Sequence, residues 1–250
     1  MIGTVSVGAA LAAFAAGFVP AVIWLIFWLF EDRRRPEPRR LIVETFLIGM
    51  FAVPLVLPLE KAAIDVGIPV GFTLFLIWAA TEELIKFALA FFFVLRNSAV
   101  DEPIDLPIYM ISIALGFAAL ENTLFLLTPI TNGALTESIV TGNLRFIGAS
   151  LIHVLSSAII GGALAFAFYR DFIYKLWFGV IGVILAISLH AVFNFLIITT
   201  GASQLLTIFL GVWVGIIFLL LALERVKSIH RPAWWEKTFM YHINKPPRQK

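Results

Sequence analysis

The sequence predicts an all-α integral membrane protein: a bundle of about seven transmembrane helices, N-terminus outside and C-terminus cytoplasmic. Three observations predict it. Apolar residues make up 61% of the 250 residues, and the mean hydropathy is +0.99, well above the ordinary globular share. These residues form continuous runs close to the ~20 that carry a helix across a bilayer core, rather than the alternation of a barrel strand. The basic residues gather at alternate ends of the runs.

Seven runs have the required length, at about 8–30, 41–58, 68–95, 106–127, 146–169, 176–198 and 203–223. The first follows residues 1–7, which lack the basic residues of a secretory signal, so a retained helix is expected. The second follows Glu31-Asp32-Arg33-Arg34-Arg35-Pro36-Glu37-Pro38-Arg39-Arg40, a Pro-broken loop with five arginines. Lys and Arg near span ends mark the cytoplasmic side, which places this loop inside. Alternation then places 96–105, 170–175 and the tail from 224 inside as well. Fifteen of the 18 Lys and Arg residues fall in these four regions, the exceptions being Lys61, Lys86 and Arg145. An even number of spans would destroy that asymmetry.

Residues 1–223 therefore form one transmembrane domain. A polar, Gly/Thr-rich external segment at 128–142 joins the fourth and fifth runs. Residues 224–250 form a basic cytoplasmic tail, whose Ala233-Trp234-Trp235-Glu236-Lys237 suits the headgroup level. The chain has no cysteine, which excludes disulfides and thiolate metal ligands. The net charge of +2 is nearly neutral. There is no Gly-rich phosphate loop, and the basic loops fix topology rather than bind nucleic acid. A lipid bilayer is the expected surrounding; oligomeric state is not written in the residues.

The costly residues decide where chemistry could lie. In the third run, Thr81-Glu82-Glu83-Leu84-Ile85-Lys86 stands between apolar flanks. An ionisable group at the centre of a lipid-exposed helix costs about 2.5–3.5 kcal/mol, so three facing lipid would cost roughly 10 kcal/mol. Helical geometry instead places all three within about a 100° sector, facing partners. The fourth run carries Phe117, Glu121 and Asn122; the fifth, His153 with Ser157 and Gly161 on one face; the sixth, His190 and Asn194 one turn apart. Taken singly, each is as well explained by an ion pair or by hydrogen bonds that tie helices together. Together they put an ionisable residue at depth in four consecutive runs, in one layer some 10–20 Å from the outer surface. Such a core is a catalytic or ion-handling site by default.

Order and spacing resemble the PrsW family of intramembrane proteases, within the wider superfamily of CAAX prenyl endopeptidases and bacteriocin-processing enzymes. That pattern reads EExxK, FxxxE followed by Asn, a His in the next helix, then HxxxN or HxxxD. Here these are Glu82-Glu83 with Lys86, Phe117 with Glu121-Asn122, His153, and His190 with Asn194. The CAAX branch has Arg in place of Lys86 and His in place of Glu121, so the chain resembles the PrsW side. The match covers about 70–200 and implies a catalytic core at about 68–200.

The resemblance implies a multi-pass protein of a bacterial or archaeal plasma membrane that cuts a membrane-anchored protein near its transmembrane segment. The family's prototype cuts an anti-sigma factor at the outer side. On this reading Glu82 is the general base for an attacking water, Glu83 supports it, and Lys86 holds one carboxylate charged. His153 and His190 with Glu121 hold either Zn²⁺ or the water itself, and Asn194 donates to the oxyanion. In the metal-free glutamic version His153 polarises the water, and His190 with Asn194 forms the oxyanion site. Phe117 and Asn122 are supporting residues. The alternative from another class is a proton-coupled or ion transporter that uses the same buried Glu, His and Lys residues as a relay.

Overall fold

The computed structural model describes residues 6–33, 35–200 and 202–232. The Trp234-Trp235 pair and most of the expected tail lie outside the described residues. Those residues form helices and connections, with no strand among them: α1 (Val7–Leu29), α2 (Arg39–Asp65), α3 (Phe72–Phe93), α4 (Asp105–Thr131), α5 (Leu135–Leu144), α6 (Ser150–Phe166), α7 (Phe172–Thr199) and α8 (Leu205–Lys227). Six helical segments are long and apolar enough to cross a membrane: α1, α2, α4, α5 continuing into α6, α7 and α8. α3 is also 22 residues long, but Glu82, Glu83 and Lys86 sit at its middle. All three are buried, while Leu84 and Phe91 on its other side are exposed. The helix thus turns its charges inward and an apolar face outward, the arrangement that the insertion cost demands.

α4 is the hub. In its most apolar stretch 67% of residues are buried, against 17% for α1 and 22% for α8. It packs on α1, α2 and α6, and α3 lies between α2 and α7. The α2–α4 crossing brings backbone against backbone. A Cβ on Gly49 would stand 2.0 Å from the Ile113 carbonyl oxygen, and one on Gly116 would stand 1.9 Å from that of Phe46. Only glycine at both positions permits this approach, because dispersion between close-fitting surfaces takes the place of hydrophobic driving force in lipid.

Two elements depart from the expected boundaries. α2 does not stop near 58 but runs through Pro54 and Pro58 to Asp65. Membrane helices tolerate such prolines when neighbouring groups re-satisfy the freed carbonyls. Lys61 then pairs with Asp65 one turn on, at 2.5 Å. The segment expected at 128–142 is largely helical: α4 continues through Pro129 to Thr131, and α5 occupies 135–144. The reversal between them needs Gly133, whose φ of +68° is left-handed backbone open to glycine. A π-helical turn, Arg145–Ala149, joins α5 to α6, an irregularity common beside functional sites.

Candidate active site

α3, α4, α6 and α7 bring their polar residues to one focus. Glu83 lies three residues before Lys86, so the two side chains share a face of α3. Their ion pair is 2.6 Å long with both side chains fully buried. Both oxygens of the Glu83 carboxylate are engaged: it also accepts from Ser157 Oγ at 3.0 Å and lies 2.9 Å from His190 Nδ1. A carboxylate only accepts, so His190 carries its proton on Nδ1 and its lone pair on Nε2.

His153 is oriented in the same manner. Its Nδ1 lies 3.3 Å from the Lys86 ammonium, which has no acceptor, so Nδ1 holds the lone pair. Its Nε2 then donates to Glu121 at 3.0 Å. The two imidazoles meet edge to face with centroids 4.9 Å apart. Phe117 packs on His153, with ring centroids 5.2 Å apart, and on Lys86, whose Nζ is 4.8 Å from the ring centroid.

Both lone pairs converge on Glu82. Its Oε2 lies 3.6 Å from His153 Nδ1 and 3.9 Å from His190 Nε2. That oxygen is buried and has no hydrogen-bond partner. Glu82, Glu121, His153 and His190 thus meet within one pocket, together with Glu83 and Lys86. Asn194, one turn from His190 towards the end of α7, is half-buried and makes no hydrogen bond to any described residue. Asn122 turns away from the focus and donates to Ser150 Oγ at 3.0 Å.

Two further residues belong to the cluster. Arg145, from the π-helical turn, pairs with Glu121, donates to Asn122 Oδ1 and lies 3.8 Å from the Phe125 ring centroid. Glu60, near the end of α2, is half-buried and lies within hydrogen-bonding reach of Glu82. Hydropathy flags neither, because both sit near span ends. The available signal for Arg145 is its isolation: it follows a polar segment on the side otherwise poor in cations.

A family model described as PrsW family intramembrane metalloprotease matches residues 37–223, which include every residue of this cluster. The chain belongs to that family. Proteins named Protease PrsW are similar to it along much of their length. One from Geobacillus kaustophilus is 29% identical over 222 residues, 86% of this chain and 90% of the relative. One from Halalkalibacterium halodurans is 28% identical over 185 residues, 72% and 80% respectively. One from Bacillus subtilis is 32% identical over 123 residues, 46% and 54% respectively. No solved structure matches the chain. As a PrsW-family member it is an intramembrane peptidase, a multi-pass protein of the bacterial cell membrane. Family membership therefore decides between the enzyme and transporter readings.

The family description implies a metal ion, and the donor set fits one. Glu82, His153 and His190 each offer an atom, all within 4.8 Å of one another and all buried. Three acceptors facing each other around an unsatisfied carboxylate oxygen call for a cation or a donor between them. Each imidazole has a carboxylate on its remote nitrogen, as histidine metal ligands commonly do. The carboxylate that the geometry groups with the two imidazoles is Glu82, while Glu121 lies on the remote Nε2 of His153.

Arg145 should therefore act through Glu121. Arg145→Gln is expected to lower kcat about 10–100-fold, the usual cost of losing a residue that orients a ligand, with little change in KM. Arg145→Lys should restore only part of it, since an ammonium cannot span Glu121 and Asn122 together. Initial rates on a membrane-anchored reporter, normalised to protein in the membrane fraction, measure both; an unchanged kcat in Arg145→Gln would remove this role.

Proposed function

We propose that this peptidase cuts a membrane-anchored protein near the outer boundary of the bilayer, with Glu82 activating the attacking water. The observation that carries the reading is the focus at which the unpartnered Glu82 Oε2 faces His190 Nε2 and His153 Nδ1, the last also accepting from Lys86. A water placed there donates both protons to acceptors and leaves its lone pair aimed at a substrate carbonyl. Glu82 takes one proton as the oxygen attacks, and returns it to the leaving amine as the C–N bond breaks. Glu83, held by Lys86, Ser157 and His190, keeps the His190 lone pair directed inward. Asn194 is within one helical turn of His190 and is the proposed donor to the oxyanion.

Zn²⁺ is the proposed metal, held by His153 and His190 beside Glu82, whose carboxylate is kept as the base. When bound it would supply Lewis acidity and lower the pKa of its water to about 7.

The same reading counts α3 as a seventh span, since its 22 residues measure about 33 Å as helix. Seven spans with the N-terminus outside put the loop at 31–40 in the cytoplasm. The partly open members of the cluster, Glu60, Glu121, Arg145 and Asn194, all lie towards the opposite end of the bundle. Water and an extended substrate segment would then enter from outside. An anti-sigma factor is the substrate that the resemblance implies.

The test uses the full chain reconstituted in vesicles with an anchored reporter whose products are mapped by mass spectrometry. Chelation is expected to lower turnover at least ~100-fold and Zn²⁺ to restore it. Undiminished turnover without metal would end the zinc version, and cuts far from the bilayer boundary would end the positional one.

A further inference from the structure

The bundle end remote from the active site carries a second cavity, of about 470 Å³, between the ends of α6 and α8. Its lining includes Arg170, Arg225 and His230, with the hydroxyls of Tyr169 and Ser228 and the ring of Phe166. No carboxylate lines it. Arg170 and Arg225 form no ion pair with any described carboxylate, whereas Lys227 nearby is taken up by Glu31 at 2.6 Å and Glu224 at 2.7 Å. Of the other acidic groups at this end, Glu102 is paired with Arg35, and Asp105 accepts the backbone N–H groups of Asp101 and Glu102. Asp171 follows Arg170 in the chain but is not part of the lining. Asp101 and Glu102 lie near the Tyr169 hydroxyl, but among the described residues no carboxylate lines the cavity or pairs with Arg170 or Arg225, which stand over an apolar floor.

A second observation fixes its depth. α7 starts directly beside it, and its first two turns expose Phe172, Tyr174 and Trp177 at 77%, 57% and 63%. Lys175 among them lies 5.7 Å from the Phe168 ring centroid. Aromatics and lysines exposed together at a helix end mark the headgroup layer of a membrane. An aqueous metabolite site would not share its level with such a belt. Basic pockets between transmembrane helices at this depth suit lipid phosphates.

We propose that this cavity binds the phosphate of an anionic phospholipid in the leaflet on the side of the 31–40 loop. Arg170 and Arg225 hold the phosphate oxygens, the Tyr169 hydroxyl stands beside them, and Phe166 receives the start of an acyl chain. Arginine suits this task because its planar fork meets two phosphate oxygens at once.

The experiment is native mass spectrometry of the full-length protein in detergent, titrated with phosphatidylglycerol, with phosphatidylcholine, or with inorganic phosphate. Phosphatidylglycerol is expected to bind at least tenfold more tightly than phosphatidylcholine, and inorganic phosphate in millimolar excess should not displace it. Arg170→Gln/Arg225→Gln should remove that preference, while Lys175→Gln, outside the lining, keeps it. Arg170→Lys/Arg225→Lys keeps the charge and should recover part of the preference, which separates loss of the site from loss of fold. Equal binding of the two lipids, retained preference in the double glutamine variant, or displacement by inorganic phosphate would each overturn the proposal.

Discussion

Glu82→Gln is expected to reduce cleavage of an anchored substrate by about 10³-fold or more, with the protein still present in the membrane. The reason lies in how differently the two adjacent glutamates are placed. Glu83 is fully enclosed and both its oxygens are engaged, one by Lys86 and His190 and the other by Ser157. Glu82 keeps one oxygen buried without a partner, facing two imidazole lone pairs. A carboxylate engaged at both oxygens is less ready to take a proton from a new water than one with an oxygen unpartnered. Glutamine preserves the volume, so packing against α6 and α7 should survive and the thermal midpoint in detergent should move little. Its amide cannot accept the water's proton, and it presents an N–H or a weaker acceptor to the imidazoles. The assay pairs initial rates with membrane abundance. Cleavage at the parental rate would remove Glu82 from the chemistry, whatever else the pocket does.

Much of this site is readable in the chain because burial makes charge conspicuous. An acid, amine or imidazole inside an apolar run of 20 residues must be compensated, so Glu82, Glu83, Lys86, Glu121, His153 and His190 stand out before any coordinates are known. The same physics hides Arg145 and Glu60. Near span ends water is available, a charge costs little, and nothing in the sequence distinguishes a site residue from a solvated one. Partner choice is hidden for another reason. Lys86 lies three residues from Glu83 and four from Glu82, both workable helical spacings, and only the placement of α6 and α7 directs it to Glu83. The placing of Glu121 has the same origin: it and Glu82 are both at the right depth, and only the fold shows that Arg145 pairs with Glu121. α5 escapes notice because a ten-residue helix with Gly and Thr around it has too few apolar positions to show a period.

Lys86→Met should be the most destabilising substitution at the site, costing about 3–5 kcal/mol, because it leaves a fully enclosed Glu83 carboxylate without its cation. Methionine retains most of the length of the stem, so the loss isolates the ammonium, with its contact to the Phe117 ring, rather than the volume. The penalty belongs to the uncompensated anion and not to the bond as such. Removing both charges together, in Lys86→Met/Glu83→Gln, should therefore recover a large part of the stability. It should not recover activity to the same degree. His190 Nδ1 would then face an amide in place of a carboxylate, so the lone pair on Nε2 is no longer held towards Glu82. The measurement is the urea or thermal midpoint of both variants and of Glu83→Gln alone, in one detergent, beside their cleavage rates. A double variant as unstable as Lys86→Met would mean that the ammonium's contacts with His153 and the Phe117 ring, not the ion pair, carry the stability. A double variant that regains full activity would mean that Glu83 has no part in orienting His190. The expected pattern, stability regained and turnover still impaired, separates the two tasks of Glu83: one holds a charged helix inside the membrane, and the other aims an imidazole.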